Sequence, residues 1–181
     1  MGSDSASVNI DILGLQILSQ AVQAGVIPAR FLVSLGLANG TSDGSIDLVY
    51  AKSESSIAAS TITSYDLVGS LTNAVGAAVV FAEVALIAIK NKRTTALAYL
   101  DIGPHATNGF GRLASSRGFW PADLAADADQ GNIVAPDSWF VIYAKDGVPA
   151  TGGASDILRV TTSAVAGSTN EWDIVIIGRS A

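Results

Sequence analysis

The sequence predicts an all-β protein: an antiparallel two-sheet sandwich, jelly-roll-like, of about eight strands, with an N-terminal arm. Three observations support this prediction. Gly, Ser, Thr, Asn and Asp recur at short intervals after about residue 40, and β-rich runs lie between them. Several of these runs are continuously apolar, which is typical of strands covered on both faces. The first forty residues lack this rhythm.

The predicted organisation is an N-terminal arm or edge element over residues 1–37 and a β-sandwich domain over residues 38–181. The predicted strands are Ile46–Ala51, Ser56–Leu67, Val79–Lys90, Thr95–Ile102, Gly131–Ala135, Ser138–Ala144, Asp156–Thr162 and Glu171–Ile177. Turn-forming residues at Asp146-Gly147 and Thr151-Gly152-Gly153 predict breaks, and Gly103-Pro104 is predicted to end a strand.

The N-terminal arm has a different pattern. Residues Gln16–Gly25 could form a short helix, because Ile17, Leu18 and Val22 give a weak helical stripe before Pro28 interrupts it. The arm either docks on a partner or adds a strand to its own sandwich. Its candidate interface residues are Ile10, Ile12, Leu13, Phe31 and Leu32.

Three runs are apolar at every position or nearly so: Val84–Ile89, Trp139–Tyr143 and Ile174–Ile177. A strand with one wet face alternates apolar and polar side chains, so these runs are predicted to be covered on both faces. The cover would come from the N-terminal segment, from loops or from a neighbouring subunit. Trp139 and Trp172 are accordingly predicted to be core residues.

The composition limits the classes of function. Charged residues make up 14% of the 181 residues, against about 25% in ordinary domains. Either the chain is a β domain with a surface of small Ala, Gly, Ser and Thr side chains, or part of its surface is buried against partners. The net charge of −6 argues against a basic nucleic-acid-binding face. The apolar stretch Val75–Ile89 contains Glu83 and is shorter than the roughly 20 residues of a membrane-spanning helix, so a loop and a buried strand are predicted there.

Few residues point to catalysis or metal binding. His105 is the one histidine, there is no cysteine, and Gly-x-Ser-x-Gly and phosphate-binding glycine motifs are missing. Asp123, Asp127 and Asp129 hint at calcium, but Gly131 precedes Asn132 and no glutamate follows at the required position, which favours a solvated acidic loop. We therefore expect no enzyme activity, no metal and no cofactor.

Two further features of the sequence leave alternative functions open. The three glutamates, Glu54, Glu83 and Glu171, leave a paired-carboxylate glycosidase formally possible. The aromatic pair Phe119 and Trp120, next to Pro121, could anchor an interface or could pack on its own core. Both aromatic residues are candidate interface residues.

From about Gly36 onward the order of strands and turns resembles a family of small phage and prophage virion proteins of the capsid decoration, or head accessory, type. The segments that carry this resemblance are residues 38–41, 46–50, 56–60, 65–67, 69–76, 79–84, 87–91, 133–136, 155–160 and 172–178. The family's motifs are strand and turn patterns without a catalytic signature. The first forty residues and the segment 129–132 depart from the pattern.

This resemblance implies a jelly-roll-like sandwich in a virion protein made in the cytoplasm of a bacterial host. It implies a homo-oligomer, for which we expect a trimer, that binds the major capsid protein or another virion protein. No nucleic acid and no membrane are expected as partners. The alternatives are a tail or fibre component, or a carbohydrate-binding β-sandwich, which would need a row of exposed aromatic side chains.

Overall fold

A computed structural model describes residues 8–13, 16–18, 25–27, 30–35, 38–43, 45–73, 75–112, 118–120, 131–164 and 169–180. The chain divides into two compact units, Met1–Asn39 and Gly40–Ala181. Among the described residues there are strands and turns but no helix, which confirms the all-β prediction.

The described strands number sixteen. They are β1 (Val8–Leu13), β2 (Gln16–Leu18), β3 (Gly25–Ile27), β4 (Arg30–Leu35), β5 (Ala38–Asn39), β6 (Ser45–Ile46), β7 (Leu48–Ala58), β8 (Ile62–Asp66), β9 (Leu71–Thr72), β10 (Ala78–Val79), β11 (Glu83–Asn91), β12 (Leu100–Pro104), β13 (Asn132–Val134), β14 (Trp139–Pro149), β15 (Ile157–Thr162) and β16 (Thr169–Arg179).

Eight of these strands form a sandwich of two four-stranded antiparallel sheets, with the orders β14-β11-β16-β7 and β13-β12-β15-β8. Between successive strands of the sandwich, the chain passes from one sheet to the other at every step except from β12 to β13. The first strand, β7, lies beside the last, β16. This strand order is that of a jelly roll.

The core lies between the two sheets. Because side chains alternate along each strand, every second residue points inward. Fully buried side chains from both sheets meet there, including Val84, Ile87, Ile89, Leu100, Ile102, Leu158, Val160, Trp172, Ile174 and Ile176. Each such aliphatic side chain stabilises the fold by about 1.5–3 kcal/mol relative to an exposed one.

One predicted strand is divided in the structure. Residues predicted as the strand Ser56–Leu67 belong to the end of β7 and to β8, which are joined by a turn at Ala59 and Ser60. Ser60 takes a left-handed conformation (φ 53°), and its N–H donates to the carbonyl oxygen of Ser163. The prediction was wrong because this turn lacks the glycine or asparagine that usually provides a left-handed residue.

One predicted break is absent. Asp146-Gly147 lies inside β14, where the register with β11 shifts and Gly147 has φ 73°. The left-handed conformation of Gly147 is therefore part of a β-bulge and not of a hairpin turn. Gly103-Pro104 ends a strand as predicted: Pro104 is the last residue of β12 and lies opposite Leu158. The break at Thr151-Gly152-Gly153 is confirmed.

The N-terminal unit contains two antiparallel pairs, β1 with β4 and β2 with β3. The described parts of Gln16–Gly25 are strand, so the helix considered there is wrong for them. Residues Ile10, Ile12 and Leu13 lie on β1, and Phe31 and Leu32 lie on β4. Strand pairing between Gln16–Leu18 and Gly25–Ile27 overrode the weak helical periodicity.

Candidate functional sites on the sandwich

The three apolar runs that were predicted to be covered on both faces differ in their exposure to solvent. Every residue of Val84–Ile89 is buried, as predicted. In Ile174–Ile177 only Val175 is half-buried. The run Trp139–Tyr143 contradicts the prediction, because its side chains alternate between half-buried and exposed.

The exposed residues of that run form the β14 ridge, which we define as Trp139, Val141 and Tyr143. Trp139 is 63% exposed, and the other two are 38% exposed. The intervening Phe140 and Ile142 pack against the core. The prediction that Trp139 is a core residue is therefore wrong, because Trp139 lies opposite Lys90, which itself lies opposite Asp173, on the outer face of the sheet. Trp172, on an inner strand, is fully buried as predicted.

A cleft of about 420 Å³ lies along the opposite edge of the sandwich, where the edge strands β7 and β8 face each other. We call it the edge cleft. Nine of its eleven lining residues have polar groups in their side chains: Tyr50, Lys52, Glu54, Thr63, Ser64, Tyr65, Ser70, Thr72 and Asn73, with Ala51 and Leu71 as the other two. Tyr50 and Tyr65 are buried in its floor, with their rings edge to face and 6.2 Å between centroids.

A hydrogen-bonded chain connects the core to this cleft. The indole N–H of Trp172 donates to the hydroxyl of Tyr65 over 2.9 Å, and that hydroxyl donates to Oε1 of Glu54 over 3.2 Å. The ammonium group of Lys52 lies 2.8 Å from the same carboxylate oxygen. Glu54 is only 9% exposed, so these partners offset the cost of burying its charge.

The strand pairing explains this arrangement. Tyr50, Lys52 and Glu54 alternate along β7 and lie opposite Ile176, Ile174 and Trp172 of β16. Directly opposed residues of an antiparallel pair share a face, so Lys52 and Glu54 are charged residues on the inward face. Inward charges on an edge strand also discourage edge-to-edge association, which is the structural alternative to a binding role.

The environment of the cleft shifts three pKa values upward. Burial raises the pKa of Tyr65 far above its usual range and also raises that of Tyr50. The carboxylate of Glu54, through its hydrogen bond, raises the pKa of Lys52. Both phenols therefore remain protonated in the folded protein at an alkaline pH at which they ionise in the unfolded chain.

The fold should lose stability in alkali. In the unfolded chain Tyr65 releases its proton near pH 10.0, whereas the folded protein keeps it, so the free energy of unfolding falls as pH rises above this value. We expect a fall of about 1.4 kcal/mol per pH unit from Tyr65 alone. Tyr50 and, to a small extent, the half-exposed Lys52 act in the same direction. Denaturant unfolding at about pH 9, 10 and 11 measures the slope.

The variant Tyr65→Phe is the control for this measurement. It starts from a lower stability, because Trp172 loses its hydrogen-bond acceptor, but its stability should depend less steeply on alkaline pH. A slope equal to that of the wild-type protein would contradict the assignment to Tyr65.

Other residues singled out by the sequence lie elsewhere. His105 is half-buried in a loop, where Nδ1 contacts the backbone N–H of Thr107 at 3.1 Å. Asp123, Asp127 and Asp129 fall outside the described residues. In the part of the chain that the structure describes, no group of His, Cys, Asp or Glu side chains is arranged to hold a metal ion. Nor is any helix there long and apolar enough to cross a membrane.

Phe119 and Trp120 pack as core residues do. Trp120 is buried and Phe119 half-buried, and the ring of Phe119 meets the rings of Phe110 and Trp120 edge to face at 5.9 and 5.8 Å. Both side chains therefore contact aromatic residues of their own chain.

Glu83, in the apolar run, forms an ion pair with Arg179. The same guanidinium donates to the carbonyl oxygens of Ser42 and Asp146, both at 3.0 Å, and lies 2.6 Å from a carboxylate oxygen of Asp43. The Arg179 side chain is 7% exposed. This buried guanidinium joins three separate segments of the sandwich domain.

The strand order and the two surface features define the class of the sandwich domain: a jelly-roll β-sandwich with an aromatic ridge at one sheet edge and a polar cleft at the other. Comparison with protein-family models, with curated proteins and with solved structures gives no match.

Proposed function

We propose that the protein is a non-enzymatic virion structural protein of a tailed bacteriophage, a capsid decoration protein that binds and stabilises the head shell as a homotrimer. The β14 ridge supports this proposal most directly. It is an apolar and aromatic strip on an edge strand of eleven residues, and long apolar edge strands are sites of association. Jelly rolls are a common architecture of viral capsid proteins.

The occupant of the β14 ridge is a second copy of the same chain. The polar end of the ridge carries both signs of charge, with Lys90 5.7 Å from the ring centroid of Trp139 and 2.5 Å from the carboxylate of Asp137. A surface with both signs can be complementary to another region of an identical chain, as closed symmetric assemblies require. Assembly also multiplies weak contacts with a shell that repeats its binding sites.

Replacing the most exposed aromatic residue of the ridge should dissociate the oligomer. We expect Trp139→Ser to shift the protein from a trimer to a monomer of 18.4 kDa, because aromatic anchors typically contribute about 2 kcal/mol or more to an interface. Light scattering at micromolar concentration measures the mass. The matched control is Val49→Ser, at a residue 51% exposed on the outer face of the same sheet, at its opposite edge.

The virion role is tested with the same variants. Wild-type protein and Val49→Ser should sediment with head shells purified from particles of the strain that encodes the chain, whereas Trp139→Ser should remain largely in the supernatant. A wild-type protein that is monomeric would contradict the oligomer. An oligomer that is absent from the particles by electron microscopy would contradict the virion role.

A tail or fibre position remains the alternative within the virion, and electron microscopy of particles separates it from the head shell. The carbohydrate-binding alternative gains one observation from the structure, since Trp139 and Tyr143 are exposed aromatic side chains on one face of β14. If Trp139→Ser kept its oligomeric mass and lost binding to insoluble polysaccharide, that alternative would be favoured.

A further inference from the structure

We propose that the edge cleft between β7 and β8 is a binding site for a small, uncharged, polyhydroxylated ligand, in chemical terms a sugar ring. This inference goes beyond the virion role and does not depend on it. The cleft and the β14 ridge lie at opposite edges of the same sheet, so the two surfaces can be tested separately.

The size and floor of the cleft suit such a ligand. Ligand sites typically enclose about 300–1,000 Å³, and the edge cleft, at about 420 Å³, is at the smaller end of that range. Its floor is rigid because the rings of Tyr50 and Tyr65 are buried and Tyr65 is held through its hydroxyl by Trp172. A rigid floor keeps the polar groups in place before the ligand arrives, which lowers the entropy cost of binding.

The charges of the lining favour a neutral ligand. Lys52 supplies the one positive charge and Glu54 the one negative charge among the lining residues, and they lie 2.8 Å apart. A charged ligand would have to break this ion pair and leave one partner without its counter-charge. A hydroxyl group can accept a hydrogen bond from Lys52 and donate one to Glu54 while the pair stays intact.

Three further lining residues have hydroxyl groups that can both donate and accept: Thr63, Ser70 and Thr72. Adjacent hydroxyl groups of a sugar ring require this mixture, since each of them is also both donor and acceptor. The rim at Asn73 is ordered by its own side chain, whose Oδ1 accepts from the backbone N–H groups of Val75 and Ala77 at 3.1 and 2.9 Å.

The test uses the full ¹⁵N-labelled chain and four probes added separately: glucose, galactose, mannose and N-acetylglucosamine, each at about 10 mM, a concentration that detects millimolar affinity. We expect at least one of them to shift the backbone amide signals of residues 50–54, 63–65 and 70–73. The proposal is overturned if none of the four shifts these signals, or if the shifted signals map to β14.

Three variants sharpen the test. Thr72→Trp fills the mouth of the cleft from an exposed position and should abolish the shifts without affecting the fold. Glu54→Gln preserves shape but removes the charged acceptor, and should weaken binding about tenfold or more. Trp139→Ser should bind as the wild-type protein does. If Thr72→Trp and Glu54→Gln bind the sugars as tightly as the wild-type protein, the proposal is overturned. Lys52 and Glu54 would then serve only to discourage edge-to-edge association of β7.

Discussion

Trp172→Ala should destabilise the sandwich by about 3–5 kcal/mol, the usual loss for a large buried aromatic residue. Trp172 is fully buried, packs in the core between both sheets, and donates its indole N–H to Tyr65 at 2.9 Å. The substitution leaves a cavity and removes the donor that orients Tyr65. Because a domain is stable by only about 5–15 kcal/mol, a substantial part of its stability would be lost.

Denaturant unfolding of Trp172→Ala, Trp172→Phe and wild type separates these contributions. Trp172→Phe keeps most of the packing and loses the hydrogen bond, so we expect a loss of about 1–3 kcal/mol. The control Ile133→Ala alters a side chain that is 60% exposed and should change the free energy of unfolding by no more than about 0.5 kcal/mol. An alanine variant as stable as this control would contradict the role given to Trp172.

Arg179→Met should lower the free energy of unfolding by a similar amount, about 3–5 kcal/mol, because removing one partner of a buried ion pair leaves the other charge buried without a counter-charge. The variant keeps the aliphatic stem but loses the contacts of the guanidinium with Glu83, Asp43, Ser42 and Asp146. Thermal or denaturant unfolding measures the loss.

The matched control for Arg179→Met is Lys92→Met. Lys92 and Asp173 form an ion pair with side chains 40% and 42% exposed, and surface pairs contribute about 0–1 kcal/mol. Arg179→Lys should recover only part of the loss, since one ammonium group cannot reach all four partners of the planar guanidinium. Equal effects of Arg179→Met and Lys92→Met would refute the view that Arg179 joins the three segments.

The edge cleft has a partial signal in the sequence. Tyr50, Lys52 and Glu54 alternate along a strand, which places them on one face, and the aromatic residue identifies that face as a possible inward one. The sequence does not show that Tyr65 and Trp172 lie side by side. They are 107 positions apart in the chain, and they meet only when β7 pairs with β16 and the two sheets pack together.

The sequence by itself determined the all-β class, the approximate positions of the sandwich strands and the complete burial of Val84–Ile89, because turn residues and apolar runs act locally. The tertiary structure decided which apolar run faces solvent. Trp139 and Trp172 lie in similar apolar strands, yet one is 63% exposed and the other fully buried. The reason is the face of the sheet on which each side chain lies: Trp139 lies opposite Lys90 on the outer face, whereas Trp172 lies opposite Asn91 and Glu54 on the face that meets the other sheet. No local pattern encodes which face the second sheet covers.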